Sequence, residues 1–353
     1  MTHTNVQPFM QKTQTLAVLG LSALLVATFF FCLSVGPVKI SPIWVFKALL
    51  PSKWLHGEVE RFQSSEACSL LKKIVLELRL PRTLMGMLVG GALAISGCAV
   101  QGVFRNPMAS PYVIGISSGA SCGAALSIVL GAPQAALPPA SFLFALGSAF
   151  LVYALARVGG QVPVGRLLLS GIAVSLFLSA LLSLVQYVAG ERQLREIVFW
   201  LMGGLWSVNW SKLLLSALPI CVGVFGLLGF SKELDALSMG EETALDLGVE
   251  AQRVRGIVLL LASLATAGAV CAVGVIGFVG LIVPHLIRLI VGPGHRLLLP
   301  LSLFGGAIFL SWMDLFARTV IAPSELPVGI LTALFGAPFF LWILRRSRKS
   351  PGW

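Results

Sequence analysis

Three arginines and one aspartate stand where side chains could do electrostatic work. Arg79 and Arg82 flank the Leu80-Pro81 step, and Asp314 and Arg318 sit four residues apart. Arg82 falls in the first turn of an apolar run, where the helix dipole disfavours a cation by roughly several tenths of a kcal/mol. A residue set against local physics invites a functional explanation, here a negatively charged partner docking from outside. Interfacial snorkelling is the bland alternative, and position alone does not separate the two. Asp314 precedes Arg318, the favoured order for an i, i+4 ion pair. Either the pair satisfies a carboxylate at a membrane edge, or Asp314 aims Arg318 at the same outside partner.

Two runs carry stripes of small residues. Gly171, Ser175, Ser179 and Ser183 recur every fourth position, continued by Gln186 or Tyr187. Gly329, Ala333 and Ala337 repeat the pattern, with Thr332 and Gly336 adjoining. Such stripes let helices pack closely. They also suit the wall of a passage for a bulky solute, and the two readings agree if the helices meet a second subunit around a central path. The connector 231–256 is charged, yet Leu237, Ala244, Leu247 and Val249 are apolar within it, and Gly240 and Gly248 divide it into two short helices. A purely solvated loop would not need that apolar face, so the segment reads as a docking element for a cytoplasmic partner.

Several chemistries are disfavoured. No lysine follows a glycine, so the phosphate-binding pattern Gly-x-x-x-x-Gly-Lys-[Ser/Thr] is missing and the chain is not its own P-loop ATPase. No Asp-rich or His/Glu cluster suits a metal, and His285, next to Pro284, reads as structural. Acids within the apolar runs are nearly absent, which argues against a proton-coupled carrier.

The elements that must position these residues are membrane helices. Hydrophobic residues make up 57% of the 353 and charged residues 11%, against roughly a quarter charged in soluble domains. Apolar runs near the length needed to cross about 30 Å of hydrocarbon recur throughout. Ten spans are expected, at 15–35, 81–103, 112–131, 139–158, 167–189, 212–230, 257–275, 276–291, 298–316 and 327–344. Gly274, Gly277 and Gly280 are the only punctuation between the seventh and eighth. The chain is thus an all-α, polytopic membrane protein, a single transmembrane domain over 1–353. The first run is expected to be a retained span rather than a cleaved signal.

The net charge of +11 does not point to nucleic acid, because the basic residues occupy connectors and the tail Arg345-Arg346-Ser347-Arg348-Lys349. That tail places the C-terminus in the cytoplasm, and ten spans bring the N-terminus to the same side. Basic residues divide almost evenly between the two sides, many of the outer ones lying in the long connector 36–80. Within it, Ser41-Pro42 reads as a helix start, and Trp44 and Trp54 suit a membrane interface. Residues 66–79 gather Leu70, Leu71, Ile74, Val75 and Leu78 on one face, the pattern of a helix lying on the membrane. Leu80 precedes proline and is biased away from helix, so a bend is expected there. Cys32, Cys98, Cys122, Cys221 and Cys271 lie in apolar runs and read as small hydrophobes. Spans two to five and seven to ten are candidates for an inverted repeat.

LPRTL at 80–84, FRNPMASPYVIGISSGAS at 104–121, WLMGGL at 200–205, LDALSMGEETALDLGV at 234–249, GFVGLIVPHLIRL at 277–289 and ELPVGILTALFGAPFFLWIL at 325–344 together carry a family resemblance. The chain resembles, over essentially its whole length, the permease subunits of ATP-binding-cassette importers for iron–siderophore complexes, haem and cobalamin. The resemblance implies a type II importer permease fold of ten helices in the bacterial inner membrane. It implies a dimer with a second copy or a close paralogue, around a path lined by the fifth and tenth spans, including Ser175, Ser179, Ser183, Gly329, Thr332 and Gly336. Arg79, Arg82 and Arg318 match positions that meet glutamates of a periplasmic or lipid-anchored binding protein. Residues 234–249, with Leu237, Gly240, Glu241, Glu242, Ala244, Leu247 and Gly248, match helices that dock on two ATPase subunits. Those subunits would hold ATP and Mg; no cofactor is expected on this chain. Val164 and Gly165 match the inner gate, departing from the small hydroxyl residues of the cobalamin member. The function implied is import of a ferric siderophore, haem or cobalamin, without bond chemistry by this subunit. A secondary transporter working without ATP is the runner-up, and a copurifying ATPase would separate the two. An intramembrane enzyme or scaffold lacks any catalytic constellation here.

Overall fold

The computed structural model describes residues 6–38, 40–49 and 66–347. Trp54, Lys39, Arg348 and Lys349 lie outside the described residues. Each expected span is a helix: α1 Val6–Ser34, with α2 Pro42–Leu49 and α3 Glu66–Lys73 following it, then α4 Leu80–Phe104, α5 Ile116–Val129, α6 Leu137–Ala156, α7 Val164–Val188, α8 Glu191–Leu201, α9 Trp210–Leu228, α10 Ser231–Met239, α11 Glu241–Asp246, α12 Ala251–Val273, α13 Val279–Val291, α14 His295–Ala317 and α15 Val328–Ser347. Among the described residues, seven helical stretches are long and apolar enough to cross a membrane, and three shorter apolar helices accompany them.

The centre is α4, buried continuously from Val89 to Phe104. It packs against α14, α12, α13 and α9. Two glycine pairs allow this. A Cβ on Gly90 would collide with the carbonyl of Gly306 on α14, and one on Gly97 with the carbonyl of Gly280 on α13. Without side chains there, backbones touch and dispersion replaces the hydrophobic drive that lipid cannot supply. In contrast, α7 lies at the periphery and leaves Leu169, Ile172, Leu176, Phe177, Leu184 and Tyr187 exposed.

The third and eighth spans are both short and correspond under the expected repeat. Each follows an irregular stretch ending in a left-handed residue, Gly115 (φ 80°) before α5 and Phe278 (φ 68°) before α13. A bulky residue rarely adopts that region. The ring of Phe278 lies against Gly336, where a Cβ would clash with it.

Three local expectations change. No bend interrupts the chain at Leu80: residues 74–79 form a π-helical segment, and Leu80 donates to Val75 O with helical dihedrals (φ −63°, ψ −53°). The wider turn carries the helix past Pro81, whose ring and missing N–H would break a regular α ladder. The 66–79 helix is not laid on a membrane surface by its whole apolar face. Val75 is buried in a small core with Leu33, Ile40 and Val45, joined by Leu71 and Ile74, while Leu70 and Leu78 stay exposed. Finally, α8 lies where no element was expected. It starts at Gly190, whose N–H donates to Gln193 Oε1 at 3.0 Å, carries an Arg192–Glu196 pair at 3.2 Å, and buries Ile197 against Ala125 and Val185.

Candidate functional site

The N-terminal end of α4 gathers the arginines. Arg82 donates to Asp314 Oδ1 from Nη2 at 2.8 Å and from Nε at 3.0 Å, and to Glu325 Oε1 from Nη1 at 2.9 Å. Arg318 Nε lies 3.6 Å from Asp314 Oδ2. The i, i+4 pair therefore exists, but the shorter contacts of Asp314 go to Arg82. Arg318 also donates to Cys32 O at 2.6 Å. Arg79 donates to Leu33 O at 2.7 Å, to Ser34 O at 2.9 Å, and to Val38 O. Those acceptors include the last carbonyls of α1, which have no partner within their own helix. Cations suit that end of the dipole.

Arg79 and Arg318 are thus 6% and 3% exposed. They cap a helix instead of standing at an open surface. Gly36 lets the chain pass beside Arg79, since a Cβ there would sit 3.0 Å from Nη2. Arg82 is the more accessible, with 13% of its side chain exposed, and Glu325 reaches 29%. All three arginines and Glu325 line a cavity of about 310 Å³ with Trp206 and Val208.

The opposite end of α4, about 37 Å away at 1.5 Å per residue, carries the 231–256 connector. Gly240 (φ 127°) and Gly248 (φ 77°) break it as expected. The apolar residues divide between two directions. Leu237 and Ala244 are buried in the main core along with Leu234 and Ala236, so they fix α10 and α11 to the subunit. Leu247 is 61% exposed, and so are Met239 (68%) and Leu245 (62%), which sequence reasoning passed over. Glu242 is exposed, and Glu241 pairs with Arg255. Asp235 Oδ1 accepts from the backbone N–H of His295 and from its Nδ1, both at 2.7 Å, tying α10 to α14.

On the same side, residues 157–163 join α6 to α7 through a tight turn. Val158 and Gln161 form a bridge, made possible by Gly159 (φ 58°) and Gly160 (φ 82°). Val164 and Gly165 open α7, and Gly165 has open space where a Cβ would project.

The small-residue stripes separate in the same way. On α7, Gly171 packs against the carbonyl of Val113, and Ser175 accepts from Ser118 Oγ at 3.2 Å. Ser179 and Ser183 remain exposed, Ser183 donating to Ser179 O at 3.0 Å. On α15, Gly329 abuts the carbonyl of Met202, Gly336 abuts Phe278, and buried Thr332 donates to Gly329 O at 3.0 Å. That stripe faces its own subunit, while Leu334, Phe335 and Leu341 present the outer face. Close packing is the structural use of those three α15 positions.

This architecture has known counterparts. The model of the FecCD transport family matches residues 24–346. A cobalamin import system permease protein of Halobacterium salinarum is 47% identical over 273 residues, covering 77% of this chain and 73% of its own. A hemin transport system permease protein of Yersinia pestis is 42% identical over 289 residues, covering 78% and 84%. The inward-facing structure of a metal-chelate type ABC transporter superposes with a TM-score of 0.81 at 36% identity, over 93% of this chain and 98% of that one. The fold is that of an ABC importer permease, and the chain belongs to the FecCD transport family.

Proposed function

We propose that this chain is the membrane permease of a binding-protein-dependent importer, acting as a dimer in a bacterial inner membrane with both termini cytoplasmic. The observation that carries this reading is the surface of the 231–256 connector. Met239, Leu245 and Leu247 stand exposed on a charged segment at one end of a membrane bundle. An apolar patch held out by two short, anchored helices fits a groove on a soluble partner. The partner class is the ATPase, since the chain lacks a phosphate-binding loop of its own. ATP and Mg bind there, and closure of two such subunits displaces α10 and α11. The spans then expose a central path alternately to each side.

The path belongs to the two-fold interface, lined by the exposed Ser179 and Ser183 of α7 and the outer face of α15. Exposed apolar residues on α7 supply the surface a second copy would cover. The connector with Val164 and Gly165 closes the path on the cytoplasmic side. At the outer rim, a periplasmic or lipid-anchored binding protein docks through acidic side chains. Three guanidiniums face two carboxylates there, and Arg82 is the arginine with most access. A partner carboxylate reaches it by displacing Glu325 and steers encounter electrostatically.

Relatives named for cobalamin and hemin support a large chelate as the solute, a ferric siderophore, haem or cobalamin; another relative is named for molybdate import. The test is uptake by proteoliposomes holding the permease, its ATPase and its cognate binding protein, with those three ligands offered in turn. ATP-dependent accumulation of one of them is the expected result. Accumulation without ATP would overturn the reading in favour of a secondary transporter.

A further inference from the structure

One buried guanidinium links the two devices assigned to the cytoplasmic end. Arg255, in the second turn of α12, is 3% exposed. Its Nη2 pairs with Glu241 Oε1, the first residue of α11. Its Nη1 donates to Val162 O at 2.7 Å. Gln252, one turn earlier on the same face, accepts the N–H of Val162 at 3.0 Å and lies 3.4 Å from Arg255 Nη1. Both backbone groups of Val162 are therefore held by α12. Val162 is the buried anchor of the 157–163 connector, whose remaining residues are exposed.

We propose that Arg255 is a positioning residue that transmits displacement of α11 to the connector 157–163, with Gln252 holding the far side of the same peptide. This rests on the reading of α10–α11 as the ATPase-docking element and of the connector as the inner gate. A guanidinium is a rigid planar fork. Its two nitrogens hold a carboxylate on one moving element and a carbonyl on the other. A shift of α11 must either break the charge-assisted bond to Glu241 or carry Val162 along. Apart from Val162, which packs into the main core, the connector is exposed and its tip is a two-glycine turn with one bridge.

The test uses the full complex in proteoliposomes and reads solute transported per ATP hydrolysed. Arg255→Gln removes both links, and the ratio is expected to fall at least about fivefold, the low end of typical coupling between sites. Arg255→Lys, with one ammonium in place of the fork, should lie between Arg255→Gln and the native chain. The double swap E241R/R255E separates transmission from a merely structural ion pair. It rebuilds opposite charges but sets a carboxylate against the Val162 carbonyl, so the ratio should stay as low as in Arg255→Gln. Restoration of the native ratio by the swap would overturn the proposal, as would an Arg255→Gln ratio within twofold of native. If the Arg255 variants do not assemble, Glu241→Gln, at a partly exposed side chain, tests the same link: a lowered ratio supports it and a native ratio overturns it. Failure of the underlying reading looks different, because then the native chain itself retains no ATPase.

Discussion

The two ends of α4 use their unusual residues in opposite ways. At the arginine end, charges that look available in the sequence are consumed within the chain: Arg79 and Arg318 cap α1, and Arg82 grips Asp314. At the connector end, apolar residues that could have been buried are held out. Leu237 and Ala244 anchor the two short helices so that Met239, Leu245 and Leu247 can project. Exposure, not residue type, separates the two ends. One end serves the subunit's own integrity, with a narrow opening at Arg82; the other leaves three large apolar side chains exposed, as the proposed docking requires.

That contrast can be broken at the arginine end first. Asp314→Asn leaves Arg82 and Arg318 without their shared carboxylate in a buried setting, and a loss of about 3–5 kcal/mol of stability is expected. Thermal unfolding of the detergent-solubilised permease measures it, and an unchanged midpoint would show the network to be dispensable. Arg79→Gln strips the C-terminal carbonyls of α1 of their charged donor, with an expected cost of about 1–3 kcal/mol. This burial also means that reversing Arg79 or Arg318 to glutamate damages the subunit itself, so transport loss in such variants does not by itself report docking. Glu325→Gln is the cleaner probe. At a partly exposed pair it should change stability by less than about 1 kcal/mol, while tightening binding-protein association measured by surface plasmon resonance. Weaker association would place the docking carboxylate elsewhere. Leu245→Glu at the connector end should move the unfolding midpoint least, within about 0.5 kcal/mol, as for surface positions outside the core.

Much of this was legible in local sequence, and the reasons are physical. Ten spans follow from the length of apolar runs, because a helix must cross the hydrocarbon with its backbone satisfied. Gly240 and Gly248 were readable as breaks because each sits in a conformation that side chains resist. The Asp314–Arg318 spacing predicted a pair on one helix face. The better partner of Asp314 was not readable, since Arg82 lies 232 positions away and only the Gly90–Gly306 crossing brings the two helices together. The helical passage through Leu80-Pro81 needed a π segment, which leaves no residue signature beyond the proline. Helix α8 did leave one, in Gly190, Gln193, Leu194 and Ile197, but its amphipathic face is shorter than a span and falls between two runs that dominate the hydropathy. Leu237 and Leu247 are equally apolar in sequence; only their packing assigns one to the core and the other to the surface.

The most direct measurement is ATPase retention by the purified permease. The native chain, coexpressed with the ATPase of its own system, should copurify with it in equal numbers of subunits. The double variant Leu245→Glu/Leu247→Glu should lose the ATPase while keeping the native unfolding midpoint. Retention of the ATPase by that variant, with native uptake, would contradict the assignment of the exposed connector residues to docking.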